Sequence, residues 1–275
     1  MSEREVRFEL LRPQQLIDER ERCPLVFLPV APLEYHGPHL PVGTDPINAA
    51  QCALETCRRF GKGVVMPTLY WGTERERPSW MAESLGFSAE DWVYGMDFPS
   101  VLWESHYYQE HIFGLVVSEK LQMLIRHGYK VIMLVNGHGA WNHMETMKRL
   151  ALYYSNTEDV VVKHRLAFAL DVSEENLAGH ADLYETSLMM YYHQERGVGK
   201  SPIVDLTQLP EDGPLHYKDF SIVDGAGFSR NPSPGHVVQT DPREASVEKG
   251  REVFEQTIEK YLSEIRETLE EKGLA

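Results

Sequence analysis

The sequence predicts an α/β fold in which a mostly parallel sheet is covered by helices on both faces. Two observations carry this. Short apolar, branched runs alternate along the chain with amphipathic stretches of helical period. One of the runs, in "KVIMLVNGHG", is apolar through its whole strand portion, as burial on both faces of a parallel sheet requires.

The elements follow in order. "PLVFLPVAP" (24–32) is an apolar run ended by prolines and reads as a buried strand. The stretch "DPINAAQCALETCRRFG" follows as a helix, with Asp45 as a cap, Pro46 in the first turn and Gly61 as the stop. A second strand is expected in "GVVMPTLYWG". Ile112, Leu115, Val116, Leu121, Leu124 and Ile125 give helical spacing that ends at Gly128. After the strand at 130–135, a helix capped by Asn142 is expected, then a strand in "VVVKHRLAFAL" and a helix in "ADLYETSLMMYYHQERG". From Ser246 to Lys272, Val247, Phe254, Ile258, Leu262, Ile265 and Leu269 mark an amphipathic helix. Two loop-rich regions, Trp71 to Gln109 and Ser201 to Pro242, interrupt the alternation. Long ordered loops over such a sheet commonly shape a binding site.

Composition bounds the function. The 275 residues suit a single large domain, and 42% hydrophobic with 25% charged residues is ordinary for a globular chain. A formal net charge of -15 repels nucleic acid. "MSEREVRFELLRPQQ" has no apolar leader, and no run approaches membrane-spanning length, so a cytoplasmic, membrane-free protein is expected. Cys23, Cys52 and Cys57 are too sparse for a disulfide framework, and Cys52 and Cys57 read as packing residues.

Two polar loops follow apolar strands: "LEYHGPHLPVGTDP" (33–46) and "NGHGAWN" (136–142). Ligands bind beyond the carboxyl ends of parallel strands, so both loops should surface on one edge of the sheet. That would gather Glu34, His36, Asp45 and His138, with Glu185 as a fifth candidate and His180 just before it. Two imidazoles with three carboxylates suit Zn, Mn, Fe or Ni better than Ca or Mg. Five donors exceed one tetrahedral zinc with an open position. They suit two ions about 3.5–4 Å apart sharing a carboxylate, and Asp45, at a helix start, is the natural bridge. Such a pair lowers the pKa of a water held between the ions and polarises a carbonyl. Read without a metal, Asp45 is a helix cap and His39 a hydrogen bonder to its own loop; spacing alone leaves both readings open.

"LEYHGPHLPVGTD" resembles the signature of the creatininase (creatinine amidohydrolase) family: Glu, any residue, HGPHLP, then GTD. "NGHG" (136–139), "ETS" (185–187) and "TDPREASVEKG" (240–250) resemble its later motifs, so the likeness runs from about Pro24 to Gly250. The resemblance implies a three-layer α/β/α sandwich, a single domain over 1–275 with a long insertion at about 71–109, a two-metal centre and a homohexamer. It assigns Glu34 and His138 to one metal, His36 to the other, Asp45 to both, and His180 to proton shuttling. Creatininase itself has a metal-binding Glu where this chain has Ala140, so Glu185 is the expected substitute. Its Trp-Asp pair before the shuttle histidine is Asn176 and Leu177 here, which disfavours creatinine as substrate.

The expected activity is hydrolysis, at a carbonyl, of a small, cyclic, polar metabolite. That metabolite is either a cyclic amide or, as in the 3-dehydro-scyllo-inosose hydrolase-like branch, an inositol-derived diketone. A non-catalytic metabolite-binding protein with a vestigial metal site is the alternative. No G-x-S-x-G elbow and no G-x-G-x-x-G after a strand is present, which removes serine hydrolases and dinucleotide oxidoreductases.

Overall fold

The computed structural model describes residues 4–84, 87–99, 101–168, 179–212, 215 and 241–274. At its centre β1 (Leu25–Val30) runs parallel to β3 (Val131–Asn136), with Leu25 opposite Val131 and Val30 opposite Asn136. The two strands therefore end level, and the loops that follow them emerge side by side. Beside β1 lies β2 (Val64–Val65), and β4 (Val161–Leu166) lies beside β3, giving the parallel order β2-β1-β3-β4.

Alternation along the strands sorts two cores. Leu25, Phe27, Val131, Met133 and Val135 face α2 (Thr44–Phe60), α6 (Leu183–Arg196) and α7 (Val247–Glu271). Val26, Leu28, Val30, Ile132 and Leu134 face α4 (Glu110–Arg126) and α5 (Trp141–Thr157). This is the expected three-layer sandwich. The remaining helices are α1 (Pro13–Arg22) and the short α3 (Ser79–Ser84). Among the described residues no helix is long and apolar enough to cross a membrane. All three cysteines are buried and free.

Four local expectations are corrected. The second strand keeps only two residues, because Pro67 has no N–H for the ladder; Leu69 rejoins β1 as an isolated bridge to Val30. Asp45 does not cap α2. Gly43 holds the cap position without a side-chain bond, and Gly61, in the left-handed conformation, ends the helix. Ala140, not Asn142, precedes α5, and Asn142 turns inward to donate to Thr73 Oγ1 at 3.3 Å. On α4 the buried stripe is Phe113, Val117, Leu121 and Leu124, whereas Leu115 is 68% exposed. The helix carries apolar residues around most of its circumference, so periodicity alone did not fix its phase. Most of Ser201–Pro242, with Asn176 and Leu177, lies outside the described residues.

Candidate metal centre

The loop after β1 is closed at its neck by Glu34 N–H donating to Val42 O (2.9 Å). Thr44 seals the entry to α2 through its N–H and hydroxyl, both on Pro41 O. Inside this loop His36 donates Nδ1–H to Glu34 O at 3.0 Å. That bond fixes the tautomer and leaves the Nε2 lone pair facing inward. Asp45, in the first turn of α2, lies buried between two histidines. Its Oδ1 is 3.1 Å from His36 Nε2 and its Oδ2 is 3.0 Å from His138 Nδ1.

His138 is delivered by the end of β3. Asn136 braces the turn, accepting His138 N–H on Oδ1 (2.9 Å) and donating Nδ2–H to His138 O (2.8 Å). Gly137 is required there because a Cβ would stand 2.2 Å from Asp45 O. The turn after β3 thus packs directly on the backbone at the start of α2.

Glu185 arrives on the first turn of α6. Asp182 caps that helix, accepting Tyr184 N–H and Glu185 N–H on Oδ1. Ala181 between His180 and Asp182 adopts a left-handed φ of 54°, a costly conformation for a residue with a Cβ. It turns its N–H onto Glu185 Oε2 (2.5 Å). Glu185 Oε2 then lies 3.6 Å from His36 Nε2. His180 Nε2 sits 2.7 Å from Tyr35 O, a pure acceptor, so Nε2 carries the proton and Nδ1 is free. That Nδ1 is 3.8 Å from Glu34 Oε2.

The six residues singled out in the sequence are thus brought together. Their donor atoms form three groups, each mutually within 4.8 Å: Glu34–Asp45–His138, His36–Asp45–Glu185, and Glu34–His36–His180. The first two group the residues that the sequence reading assigns to two ions, and they share Asp45. The third puts His180 within reach of a ligand role as well as the shuttle role that the resemblance implies. His39 stays outside all three; its Nε2 meets Thr186 Oγ1 at 3.0 Å and ties the loop to α6.

The electrostatics fit a cation. Burial opposes charge on His36, but the carboxylates of Glu185 and Asp45 outweigh it and hold its pKa well above the usual value. For His138, burial is likewise outweighed by Glu34 and Asp45. Glu34 is lowered: burial works against its charge, and His138 prevails. Burial raises Glu185. Yet His36 Nε2, surrounded by three carboxylates, makes no aligned hydrogen bond. An imidazole nitrogen set among converging carboxylates is the donor set of a divalent metal, which would replace the proton that the raised pKa otherwise places there. His180 differs. Burial, then the charge on His36, pushes its pKa down to about 3, so its resting form is the neutral one.

Sequence reasoning missed Tyr107, whose hydroxyl donates to Glu34 Oε1, and Asn136 as the brace. The stretch "SHYYQEH" (105–111), like "TERERP" (73–78), is expected from the sequence to supply polar contacts to a hydroxylated substrate or an oligomer interface; it turns one of its hydroxyls to Glu34. The arginines of "TERERP" face protein groups. Arg75 pairs with Glu110 (3.1 Å), and Arg77 Nε donates to Gly95 O (3.2 Å).

Comparison with known proteins shows the family and the fold. The creatinine amidohydrolase of Pseudomonas putida is 26% identical over 266 residues, covering 88% of this chain and 89% of that protein. A solved creatininase variant of Zn-Zn type aligns with a TM-score of 0.65 at 22% identity, over 96% of this chain and 98% of that one. A creatininase in its Mn form gives 0.64 at 21%, over 96% and 99%. The family described as "Creatininase: Creatinine amidohydrolase" matches residues 9–265, a span that takes in every residue of the centre, and the chain belongs to the creatininase family.

Proposed function

We propose that this chain is a metal-dependent hydrolase whose binuclear centre acts on a carbonyl of a small, cyclic, polar metabolite. The observation that supports it most is Asp45: its two oxygens meet histidines of two different donor groups, 3.1 and 3.0 Å away. In this reading Glu34 and His138 hold one ion, His36 and Glu185 the other, and Asp45 both. When bound, the ions supply Lewis acidity toward a carbonyl oxygen and a water that ionises near neutral pH. Zinc or manganese is favoured by the solved relatives, and iron also fits the N/O donor set.

The protein's own part falls to His180. Tyr35 O holds its Nε2–H, so Nδ1 takes the proton of the attacking water and returns it to the leaving atom. A nitrogen leaving atom makes the enzyme an amidohydrolase of cyclic amides. A carbon leaving atom makes it a C–C hydrolase of a cyclic diketone such as 3-dehydro-scyllo-inosose. Screening lactams against cyclic diketones separates the two.

Variants test the assignment of roles. His138→Ala should remove activity together with metal, and His180→Ala should remove activity with metal retained. Metal loss in His180→Ala would instead make His180 a ligand, as its group with Glu34 and His36 allows. Self-assembly, as a hexamer, is part of the proposal; the exposed Leu115, Trp141, Leu152 and Tyr153 on α4 and α5 support an interface there.

A further inference from the structure

We propose that Tyr107 is a positioning residue of the metal centre, holding Glu34 so that one carboxylate oxygen alone faces the ions. The inference rests on the binuclear reading above and assigns a task to the mid-chain insertion. Tyr107 OH donates to Glu34 Oε1 and at the same time accepts Met96 N–H at 3.2 Å. With that lone pair occupied, the hydroxyl proton is directed at the carboxylate. Glu34 Oε2 is left for the centre, 3.2 Å from His138 Nδ1 and 3.7 Å from His36 Nε2.

The surroundings are built to seat this phenol. Backbone bonds pin the chain on either side of it: His106 N–H to Leu33 O (2.7 Å) and Tyr108 N–H to Gly72 O (2.8 Å). The turn that supplies Met96 is closed by the mutual bonds of Tyr94 and Asp97 (2.8 and 2.9 Å). Gly95 sits inside it at a φ of 59°, where a Cβ would come within 2.8 Å of the Tyr107 ring. Asp97 Oδ1 accepts Ser105 N–H (2.8 Å), and Ser105 Oγ accepts Tyr35 N–H (3.0 Å), which joins the turn to the ligand loop. Tyr35, Ala82, Val93, Met96 and Phe98 form a small apolar core beneath. The insertion is therefore a folded support that presents one donor to one ligand. A hydrogen bond to a ligating carboxylate fixes its orientation, and losing such a partner typically weakens metal binding by about 10–100-fold.

The test uses the full chain with Zn or Co(II) as the probe. Tyr107→Phe keeps the ring and loses the hydroxyl; 3-fluorotyrosine at position 107 keeps the hydroxyl. Chelator competition should find two ions on the wild type and on the fluorotyrosine protein. In Y107F one of the two should bind about 10–100-fold more weakly. The Co(II) absorption spectrum of saturated Y107F should differ from that of the other two. Equal affinities and equal Co(II) spectra in all three would overturn the inference. If fluorotyrosine weakened binding as much as Phe, keeping the hydroxyl would not preserve the site, and the inference would fail again. A wild type that takes up no ion would instead overturn the binuclear reading itself.

Discussion

Gly137→Ala tests the join between the two halves of the centre. The added Cβ would lie 2.2 Å from Asp45 O, 2.7 Å from Asp45 C and 3.1 Å from the Ala31 Cβ. Ordinary carbon–oxygen contact begins near about 3.3 Å, so the start of α2 or the turn after β3 must retreat by about 1 Å. The two nearest atoms are backbone and the third is a Cβ, so no side-chain rotation relieves the clash. Overpacking of this kind costs about 1–3 kcal/mol, which lowers the melting temperature by several degrees in a chain of this size. The functional loss should be larger. Metal sites tolerate about 0.2 Å in ligand distance, and displacing positioned groups by about 1 Å costs about 100-fold in rate. The assay pairs thermal denaturation with metal content after dialysis. Gly139→Ala is the control, since a Cβ there meets nothing within 4 Å. Gly137→Ala should lose metal and melt early, and Gly139→Ala should do neither. Two fully retained ions and an unchanged melting temperature in Gly137→Ala would refute the reasoning.

Other predictions concern stability. His164, on β4, has its pKa pushed down to about 4 by burial, then by the charges of Lys148 and Arg165. The unfolded chain therefore binds this proton first. The stability is fully present above pH ~6.5 and is lost as pH falls toward ~4, on the order of 3 kcal/mol in all. His164→Gln should lower the proton uptake on unfolding in that window by about one, measured by denaturant melts at pH 7 and 5; an unchanged slope would sink the idea. Asp182→Ala should cost about 1 kcal/mol as a lost helix cap and should also weaken metal binding through Glu185. Asp182→Asn, which keeps the capping oxygen, should recover most of the stability. If the two substitutions cost the same, the cap is not the cause.

Much of this was legible in the sequence, for identifiable reasons. The continuous apolar runs of β1 and β3 announced a parallel sheet, and the rule that ligands gather beyond its carboxyl edge put Glu34, His36, Asp45 and His138 together. The residues of "ETS" each turn out to have a task. Glu185 enters the centre, Thr186 meets His39, and Ser187 Oγ accepts Ser246 N–H at the head of α7 (3.2 Å). Gly250 of the closing motif is needed because a Cβ would stand 2.0 Å from Ser187 O. What stayed hidden depends on contacts distant in sequence. Tyr107 reaches Glu34 across 73 positions, and no local pattern distinguishes its hydroxyl from that of Tyr108. Asp45 read as a helix cap because a carboxylate at a helix start looks the same whether it serves a backbone N–H or a metal.

Metal content per chain tests the central claim most directly. It should be measured by mass spectrometry on protein purified without chelator or histidine tag, for the wild type and for Asp45→Ala. Close to two transition-metal ions on the wild type, with both weakened by loss of the one shared carboxylate, is the predicted result. No ion on the wild type, with none gained on adding Zn or Mn, would contradict the account and make the chain a binding protein with a vestigial site.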